Sequence, residues 1–170
     1  MKFLFYILLV IASDFVYAQP PEIQTLSPVI YLADNLDENE NLGWCIDTKG
    51  RGFSETLHAH SCKPRGGDVQ FKFDVFNGQI QSHQFSNKCL TILNKSNQIA
   101  FGLFDCKHNS ELQIFIYDNF HGEFRPKNDN NLCIVVGLES RKAGPFMSRN
   151  LELKKCSTIE KKYKKWIVKN

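Results

Sequence analysis

The tetrapeptide WCID at residues 44–47 returns twice along the chain, as KCLT at 88–91 and as LCIV at 132–135. Three early cysteines are thereby spaced 44 residues apart, at Cys45, Cys89 and Cys133. Each is followed by a late cysteine, at Cys62, Cys106 and Cys156. Regular spacing of this kind is typical of an internal repeat. The sequence therefore predicts three units of about 44 residues, each with one early and one late cysteine.

Other landmarks keep the same period. The segment FNGQI at 76–80 returns as FHGEF at 120–124. An aromatic residue follows each late cysteine by nine or ten positions, at Phe71, Phe115 and Trp166. The third unit departs from the pattern because 22 residues separate its cysteines, against 16 in the other two. The additional residues fall within GLESRKAGPFMSR at 137–149, and we expect an insertion at a hairpin tip.

Within each unit the sequence favours short strands. The segments VQFKFDVF at 69–76 and LQIFIYDNF at 112–120 are rich in β-branched and aromatic residues. No segment keeps the 3.6-residue apolar period of a helix over three turns. The sequence therefore predicts an all-β fold, and three repeats of about four short strands close most simply as a β-trefoil.

The first 18 residues, MKFLFYILLVIASDFVYA, have the features of a cleaved secretory signal peptide. Their apolar core from Phe3 to Ala12 is too short to span a bilayer, which requires about 20 residues. We therefore expect a secreted, extracellular protein without a transmembrane segment. The predicted organisation is a signal peptide at 1–18, an N-terminal linker at 19–28 and one domain at 29–170.

The six cysteines of an exported chain predict three disulfides. Many pairings are possible for six cysteines, but the repeat gives each unit one early and one late cysteine. The predicted bonds join Cys45 to Cys62, Cys89 to Cys106, and Cys133 to Cys156.

The motif C-I-D, a second cysteine 17 residues after the first, and a later Q-x-aromatic signature together resemble the ricin B-type lectin family. The signature is intact as QIF at 113–115, whereas VQF at 69–71 and KKW at 164–166 keep only the aromatic residue. The resemblance covers nearly the whole of residues 29–168. It implies a β-trefoil fold and a carbohydrate-binding, lectin-like function.

The resemblance also implies a site in the first repeat. In family members that bind sugar, an aspartate two positions after the early cysteine accepts hydrogen bonds from the sugar, and an aromatic residue two positions before the late cysteine stacks on it. The matching carbohydrate-binding candidates are Asp47, His58, His60 and Asp68. Period-two alternation places the first three on one face of a hairpin. If Cys45 lies directly opposite Cys62, as we expect for a cross-strand disulfide, Asp47 faces His60.

The same register can be applied to the other two repeats. Thr91 would face Phe104, which keeps the aromatic residue but lacks the carboxylate. Val135 would face Lys154, which offers neither group. The sequence therefore predicts at most one well-formed sugar site.

Two other interpretations of the histidine pair stay open. His58 and His60 could belong to the solvated polar face of an edge hairpin. Together with Asp47 they also form a set of ligands suited to Zn²⁺, although we expect no metal and no cofactor. Motifs of nucleophilic, metalloprotease or phosphate-binding catalysis do not occur, so we expect that the protein is not an enzyme.

Charged segments lie near both ends of the predicted domain. Residues 154–170 contain seven lysines and one acid, Glu160, while the whole chain has a formal net charge of +3. These lysines either attract sulfated or sialylated glycans or an anionic membrane surface, or form a solvated strand pair balanced by the acidic loop DNLDENEN at 34–41. We interpret that loop as a solvated turn.

The expected partners are glycans on glycoproteins or glycolipids, with anionic glycans included, and nucleic acid is not among them because the protein is exported. Asn94 begins the sequon Asn94-Lys95-Ser96 and is a candidate glycosylation site. The competing interpretation is a degenerate β-trefoil that acts as a structural or protein-interaction module without binding sugar.

Overall fold

The structure of the protein is a computed structural model that describes residues 19–95 and 98–170. The predicted signal peptide at 1–18 lies outside the described residues. The described part is all-β, as predicted, with three short 3₁₀ turns and the following strands in chain order. They are β1 (Val29–Leu32), β2 (Trp44–Thr48), β3 (Leu57–Ser61), β4 (Phe71–Asp74), β5 (Gln79–Ser82), β6 (Lys88–Lys95), β7 (Gln98–Asp105), β8 (Phe115–Asp118), β9 (Glu123–Pro126), β10 (Leu132–Ala143), β11 (Phe146–Lys155) and β12 (Trp166–Lys169).

The strands repeat with threefold symmetry, which confirms the predicted β-trefoil. Three pairs of short antiparallel strands, β1–β12, β4–β5 and β8–β9, form its frame. One longer hairpin belongs to each repeat, and these are β2–β3, β6–β7 and β10–β11. The third hairpin is the longest because the insertion at 137–149 extends both of its strands.

The aromatic residue that follows each late cysteine lies in the shared core. Phe71, Phe115 and Trp166 are at most 2% exposed and stand at the same position of β4, β8 and β12. They pack with buried residues of the paired strands, namely Ile30, Ile80 and Phe124. Burial of one such side chain contributes about 1.5–3 kcal/mol. The indole Nε1 of Trp166 donates to the carbonyl of Ile134 at 2.8 Å, so its polar atom is also satisfied.

The three predicted disulfides are present. They join Cys45 to Cys62, Cys89 to Cys106, and Cys133 to Cys156, with Cα–Cα distances of 5.0, 4.9 and 5.2 Å. Each bond ties the beginning of one hairpin to the residue that follows its second strand. The hairpin is thereby closed at its base in all three repeats.

The segment predicted to be a linker, residues 19–28, lies against the first repeat. The Glu22 N–H donates to the carbonyl of Asn41 at 2.8 Å, and the Thr25 hydroxyl donates to that of Lys63 at 2.9 Å. Ile23 packs on the apolar cluster that contains the first disulfide. None of the helical segments in the described part of the chain has the length and apolar character to cross a membrane.

The interpretation of residues 34–41 as a solvated turn is wrong. Asn35 and Glu38 are buried. The carboxylate of Glu38 accepts hydrogen bonds from the Leu42 N–H and the Ser61 hydroxyl, both at 2.7 Å. The reason is that backbone N–H groups turned toward the protein interior require an acceptor, which this acidic side chain supplies.

Two glycines with positive φ provide a test of the frame. Gly122 has φ +71°, and an added Cβ would lie 2.8 Å from the backbone oxygen of Trp166, whereas Gly144 has φ +67° and no atom within 4 Å. We expect Gly144→Ala to lower the free energy of unfolding by about 1 kcal/mol through backbone strain alone. Gly122→Ala should lower it by about 1–3 kcal/mol more because of the clash. Urea denaturation measures both, and equal losses would show that the β8–β9 turn has room for a side chain.

Candidate functional site

The hairpin β2–β3 carries the candidate residues of the first repeat, with a register that differs from the prediction. Asp47 pairs with His58, and His60 pairs with Cys45. The predicted facing of Asp47 and His60 is therefore wrong by two residues. Cys62 reaches the sulfur of Cys45 from beyond the end of β3, where its N–H donates to the carbonyl of Gly43 at 3.0 Å. The disulfide therefore joins two residues that are diagonal to each other in the ladder. His60, two positions before Cys62, is the residue that lies directly opposite Cys45.

The same shift occurs in the other two hairpins. Cys89 pairs with Phe104 and Thr91 with Gly102, while Val135 pairs with Glu152. The predicted facing of Thr91 with Phe104 and of Val135 with Lys154 is therefore also wrong. A shift by two residues keeps every side chain on the same face of the strand. The face predicted for the candidate site is accordingly correct although the direct partners are not.

The four candidate side chains meet around the carboxylate of Asp47. His60 Nδ1 lies 3.5 Å from Asp47 Oδ2 and His58 Nε2 lies 3.8 Å from it. Lys63 Nζ is 2.9 Å from the same oxygen and 2.7 Å from Asp68 Oδ2. Asp68 therefore joins the group through Lys63, a residue that sequence reasoning missed. We call these five residues the first-repeat cluster.

Asp47 and the two histidines of the first-repeat cluster are buried, while Lys63 and Asp68 are partly buried. Asp47 is 0% exposed, and His58 and His60 are 7% and 6% exposed. Strand β3 is flanked on both sides, because β11 pairs with it through Ser148 and His60. The interpretation of the histidines as the polar face of an edge hairpin is therefore wrong. Phe146, from the insertion in the third repeat, completes the cover with its ring centroid 5.7 Å from that of His60.

Several buried polar atoms of the first-repeat cluster lack a hydrogen-bond partner among the described residues. They are both carboxylate oxygens of Asp47 and Nε2 of His58. Asp47 Oδ2 nevertheless has a cation beside it, because Lys63 Nζ lies 2.9 Å away. Buried polar atoms in folded proteins are normally satisfied, and those that are not point to a bound molecule or ion.

Electrostatics in the first-repeat cluster favours neutral His60 and charged Lys63. Burial lowers the pKa of His60, and this outweighs the effects of the Ser61 carbonyl and of Asp47, which raise it. Burial also acts to lower the pKa of Lys63, but the hydrogen bond to Asp68 and the charge of Asp47 prevail and raise it. With two carboxylates and one ammonium group, the cluster has a formal charge of −1.

The equivalent positions of the second repeat are used for structure. Gln113, from the intact Q-x-F signature, donates to the Thr91 hydroxyl at 2.9 Å and to the Asp105 carbonyl at 2.9 Å. Its side-chain oxygen accepts from the Lys107 N–H at 2.7 Å. Both atoms of the amide are thereby occupied inside the protein. In the third repeat the equivalent of Asp47 is the buried, apolar Val135.

The C-terminal lysines and the acidic loop line one cleft of about 800 Å³. Its lining includes the basic residues Lys161, Lys162 and Lys165 and the acidic residues Asp34 and Asp37. Asp37 forms an ion pair with buried Arg149, and the Arg149 guanidinium lies 4.9 Å from the Trp44 ring. This arrangement agrees with the interpretation of the lysines as balanced by the acidic loop. Asn94 is exposed in β6, but Ser96 of its sequon lies outside the described residues.

Three disulfide-closed hairpins on a threefold frame define a β-trefoil domain, and one of these hairpins carries a polar cluster. The chain belongs to the family of the ricin-type β-trefoil lectin domain, whose model matches residues 76–170. That match covers the second and third repeats, so it does not include the first-repeat cluster.

A similar solved structure is the β-trefoil lectin of the Vibrio vulnificus hemolysin/cytolysin with N-acetyl-D-lactosamine bound. It has a TM-score of 0.55 and 14% sequence identity, and the alignment covers 83% of this chain and 91% of that chain. At this identity the likeness concerns the fold alone. A search of curated protein sequences finds no match.

The contact between Lys63 and Asp47 generates a stability prediction. Lys63→Met leaves the Asp47 carboxylate buried without a cation, and we expect the free energy of unfolding to fall by about 3 kcal/mol. Lys63→Arg retains the charge and should recover much of this loss. Lys155→Met is the control because Lys155 is exposed. Urea denaturation at neutral pH compares the three variants, and an unchanged midpoint for Lys63→Met would show that Asp47 does not depend on Lys63.

Proposed function

We propose that the protein is a secreted carbohydrate-binding module with one sugar site, built from the first-repeat cluster. Membership of a lectin family supports carbohydrate binding as the general function. The proposed site consists of Asp47, His58, His60 and Asp68, with Lys63 added. The observation that carries its location is the Asp47 carboxylate, which is fully buried and, apart from the ion pair of Oδ2 with Lys63, has no hydrogen-bond partner among the described residues.

Sugar hydroxyl groups are hydrogen-bond donors, which a buried carboxylate requires. Two neighbouring hydroxyl groups donate to the two oxygens of Asp47, and such hydrogen bonds to a charged acceptor are stronger than neutral ones. Lys63 donates to Asp68 Oδ2 at 2.7 Å, and its ammonium group has further N–H donors for a ring or hydroxyl oxygen of the sugar. The rings of His60 and Phe146 provide the apolar surface for the sugar's C–H groups.

The third repeat supplies the entrance to the site. His58 lines a surface groove of about 520 Å³, together with Arg141, Asn150 and Glu152 of the hairpin β10–β11. These side chains offer both donors and acceptors to the hydroxyl groups of a glycan. A ligand that enters here reaches His58 before Asp47, so the groove recognises the glycan before it contacts the buried carboxylate.

The formal charge of the first-repeat cluster limits the class of glycan that we propose it binds. The first-repeat cluster has one more carboxylate than cation, which disfavours sialylated or sulfated sugars. The lysines at 161–165 share their cleft with acidic groups and do not offset this. We therefore assign neutral glycans of glycoproteins or glycolipids as partners, bound without catalysis. Export through the segment at 1–18 is part of the proposal, and the three disulfides support an oxidising compartment.

A matched pair of substitutions tests the site. Asp47→Asn keeps the shape of the side chain and removes its charge, so we expect glycan binding to fall by about 100-fold, as for loss of a charge-assisted hydrogen-bond pair. Asp105→Asn makes the same change at an exposed carboxylate of the second repeat and should leave binding unchanged. A glycan array identifies the ligand and calorimetric titration gives its affinity, with circular dichroism as the check on folding. Binding that survives Asp47→Asn would place the site elsewhere.

The second candidate function is the degenerate trefoil without a sugar site. The burial of Asp47 and its contact with Lys63 favour it, because a preformed sugar site is normally open to solvent. Under this alternative the wild-type protein binds no glycan on the array. Three equivalent sites per chain in the titration would contradict both candidates, since among residues 19–95 and 98–170 the cluster occurs in the first repeat alone.

A further inference from the structure

Three side chains of the first-repeat cluster have atoms that could act as metal ligands. One nitrogen from each of His58 and His60 and one oxygen from Asp47 lie within 4.8 Å of one another. The Asp47 Oδ2 atom is the corner of this triangle, at 3.5 Å from His60 Nδ1 and 3.8 Å from His58 Nε2. Neighbouring ligands of a tetrahedral zinc ion are about 3.4 Å apart, as bond lengths of about 2.0–2.1 Å require. These two distances exceed this value by only a few tenths of an ångström.

The unsatisfied atoms of the cluster are the ones that a metal ion would use. Both Asp47 oxygens and His58 Nε2 are buried and lack a hydrogen-bond partner in the described part of the chain. His60 Nδ1 lies 3.0 Å from the carbonyl of Ser61, a contact that requires the proton on this nitrogen. Coordination by Nδ1 moves that proton to Nε2 and breaks the contact. Metal binding therefore satisfies two of these atoms, Asp47 Oδ2 and His58 Nε2, and gives up the His60–Ser61 contact and the Lys63–Asp47 ion pair.

The three side chains are held in place by rigid structure. Asp47 and His58 are direct partners in the β2–β3 ladder. The Cys45–Cys62 disulfide closes the base of the hairpin, and β11 pairs with β3 at His60. Ligands carried by strands and locked on both sides need little reorganisation to receive an ion.

Lys63 already supplies a positive charge to the carboxylate that a metal ion would use. Its ammonium group lies 2.9 Å from Asp47 Oδ2 and 2.7 Å from Asp68 Oδ2. When a metal ion binds the Asp47 carboxylate, Lys63 keeps its ion pair with Asp68. A divalent ion changes the formal charge of the cluster from −1 to +1, so Lys63 opposes binding and tunes the affinity.

We propose that Asp47, His58 and His60 form a buried transition-metal site of the zinc type, which Lys63 closes when no metal is bound. Two imidazoles and one carboxylate suit Zn²⁺ and not Ca²⁺ or Mg²⁺, which prefer oxygen ligands. The three protein ligands leave a fourth position for a water molecule. This site goes beyond the proposed sugar site. Because both use Asp47, zinc and a sugar compete for it.

The test measures metal binding without any sugar. The full mature chain, freed of metal with a chelator, is titrated with Zn²⁺ by calorimetry, and its thermal unfolding is followed in parallel. We expect one ion per chain and a rise in the melting temperature, with no response to Ca²⁺. Bound Co²⁺ should give the visible absorption of a four-coordinate site. No binding, or binding of Ca²⁺ with equal affinity, overturns the proposal.

Four variants locate the ion. Asp47→Asn and His58→Gln should each weaken zinc binding by at least about 100-fold, through loss of a ligand. Lys63→Met should strengthen it by about tenfold or more, through loss of a like charge. His121→Gln is the control, because His121 is exposed and pairs with Asp118 at the surface. Unchanged affinity in Lys63→Met overturns the proposal even if the ligand variants do not fold.

The zinc and sugar results are separable. Glycan binding measured with chelator present tests the sugar site alone, and zinc binding measured without sugar tests the metal site alone. If glycans bind and zinc does not, only the metal site is wrong. If zinc binds and no glycan does, the cluster is a metal site in a trefoil without sugar-binding activity.

Discussion

The antiparallel pairing of the first and last strands is the constraint on which the rest of the fold depends. β1 and β12 form four residue pairs, from Val29 with Lys169 to Leu32 with Trp166. In the other two junctions of the trefoil a continuous turn joins the equivalent strands. Short two-stranded units are not stable by themselves in water. The buried aromatic layer can therefore close only when residues from opposite ends of the chain have met.

Threefold-equivalent hydrogen bonds show how regular this frame is. The carbonyls of Gln70 and Ile114 accept from the N–H groups of His83 and Lys127 at 2.8 and 3.0 Å. The equivalent bond at the chain ends joins Lys165 to Ala33 at 2.7 Å. The frame is thus nearly symmetric, whereas the three hairpins mounted on it differ in length and chemistry.

Much of the fold could be predicted from the sequence because a repeat leaves a periodic signal. The spacing of the cysteines gave the three units and their disulfides, and the spacing of the aromatic residues gave the core. The register of the hairpins could not be obtained this way. Proximity of two sulfur atoms requires a Cα separation near 5 Å, and a diagonal arrangement meets it as well as a direct one.

The candidate site was predictable only in part. Alternation along β2 and β3 placed Asp47, His58 and His60 on one face, and these three do converge. Lys63 lies beyond the strand, where alternation no longer applies. Phe146 belongs to another repeat and comes from an insertion whose course no local pattern indicates. Burial of the cluster therefore depends on packing between repeats, which cannot be predicted from the sequence pattern within one repeat.

The way in which the third hairpin covers the first repeat has a consequence for synthesis of the protein. The Met147 N–H donates to the Ser61 hydroxyl across 86 residues of sequence, and Arg149 reaches Asp37 across 112. A ribosome adds about 5–20 residues per second, so the first repeat emerges several seconds before its cover exists. During that time its polar groups stay hydrated. The first repeat is thus synthesised first but is among the last to complete its folding. The domain reaches its native state only after the C-terminal hairpin has left the ribosome.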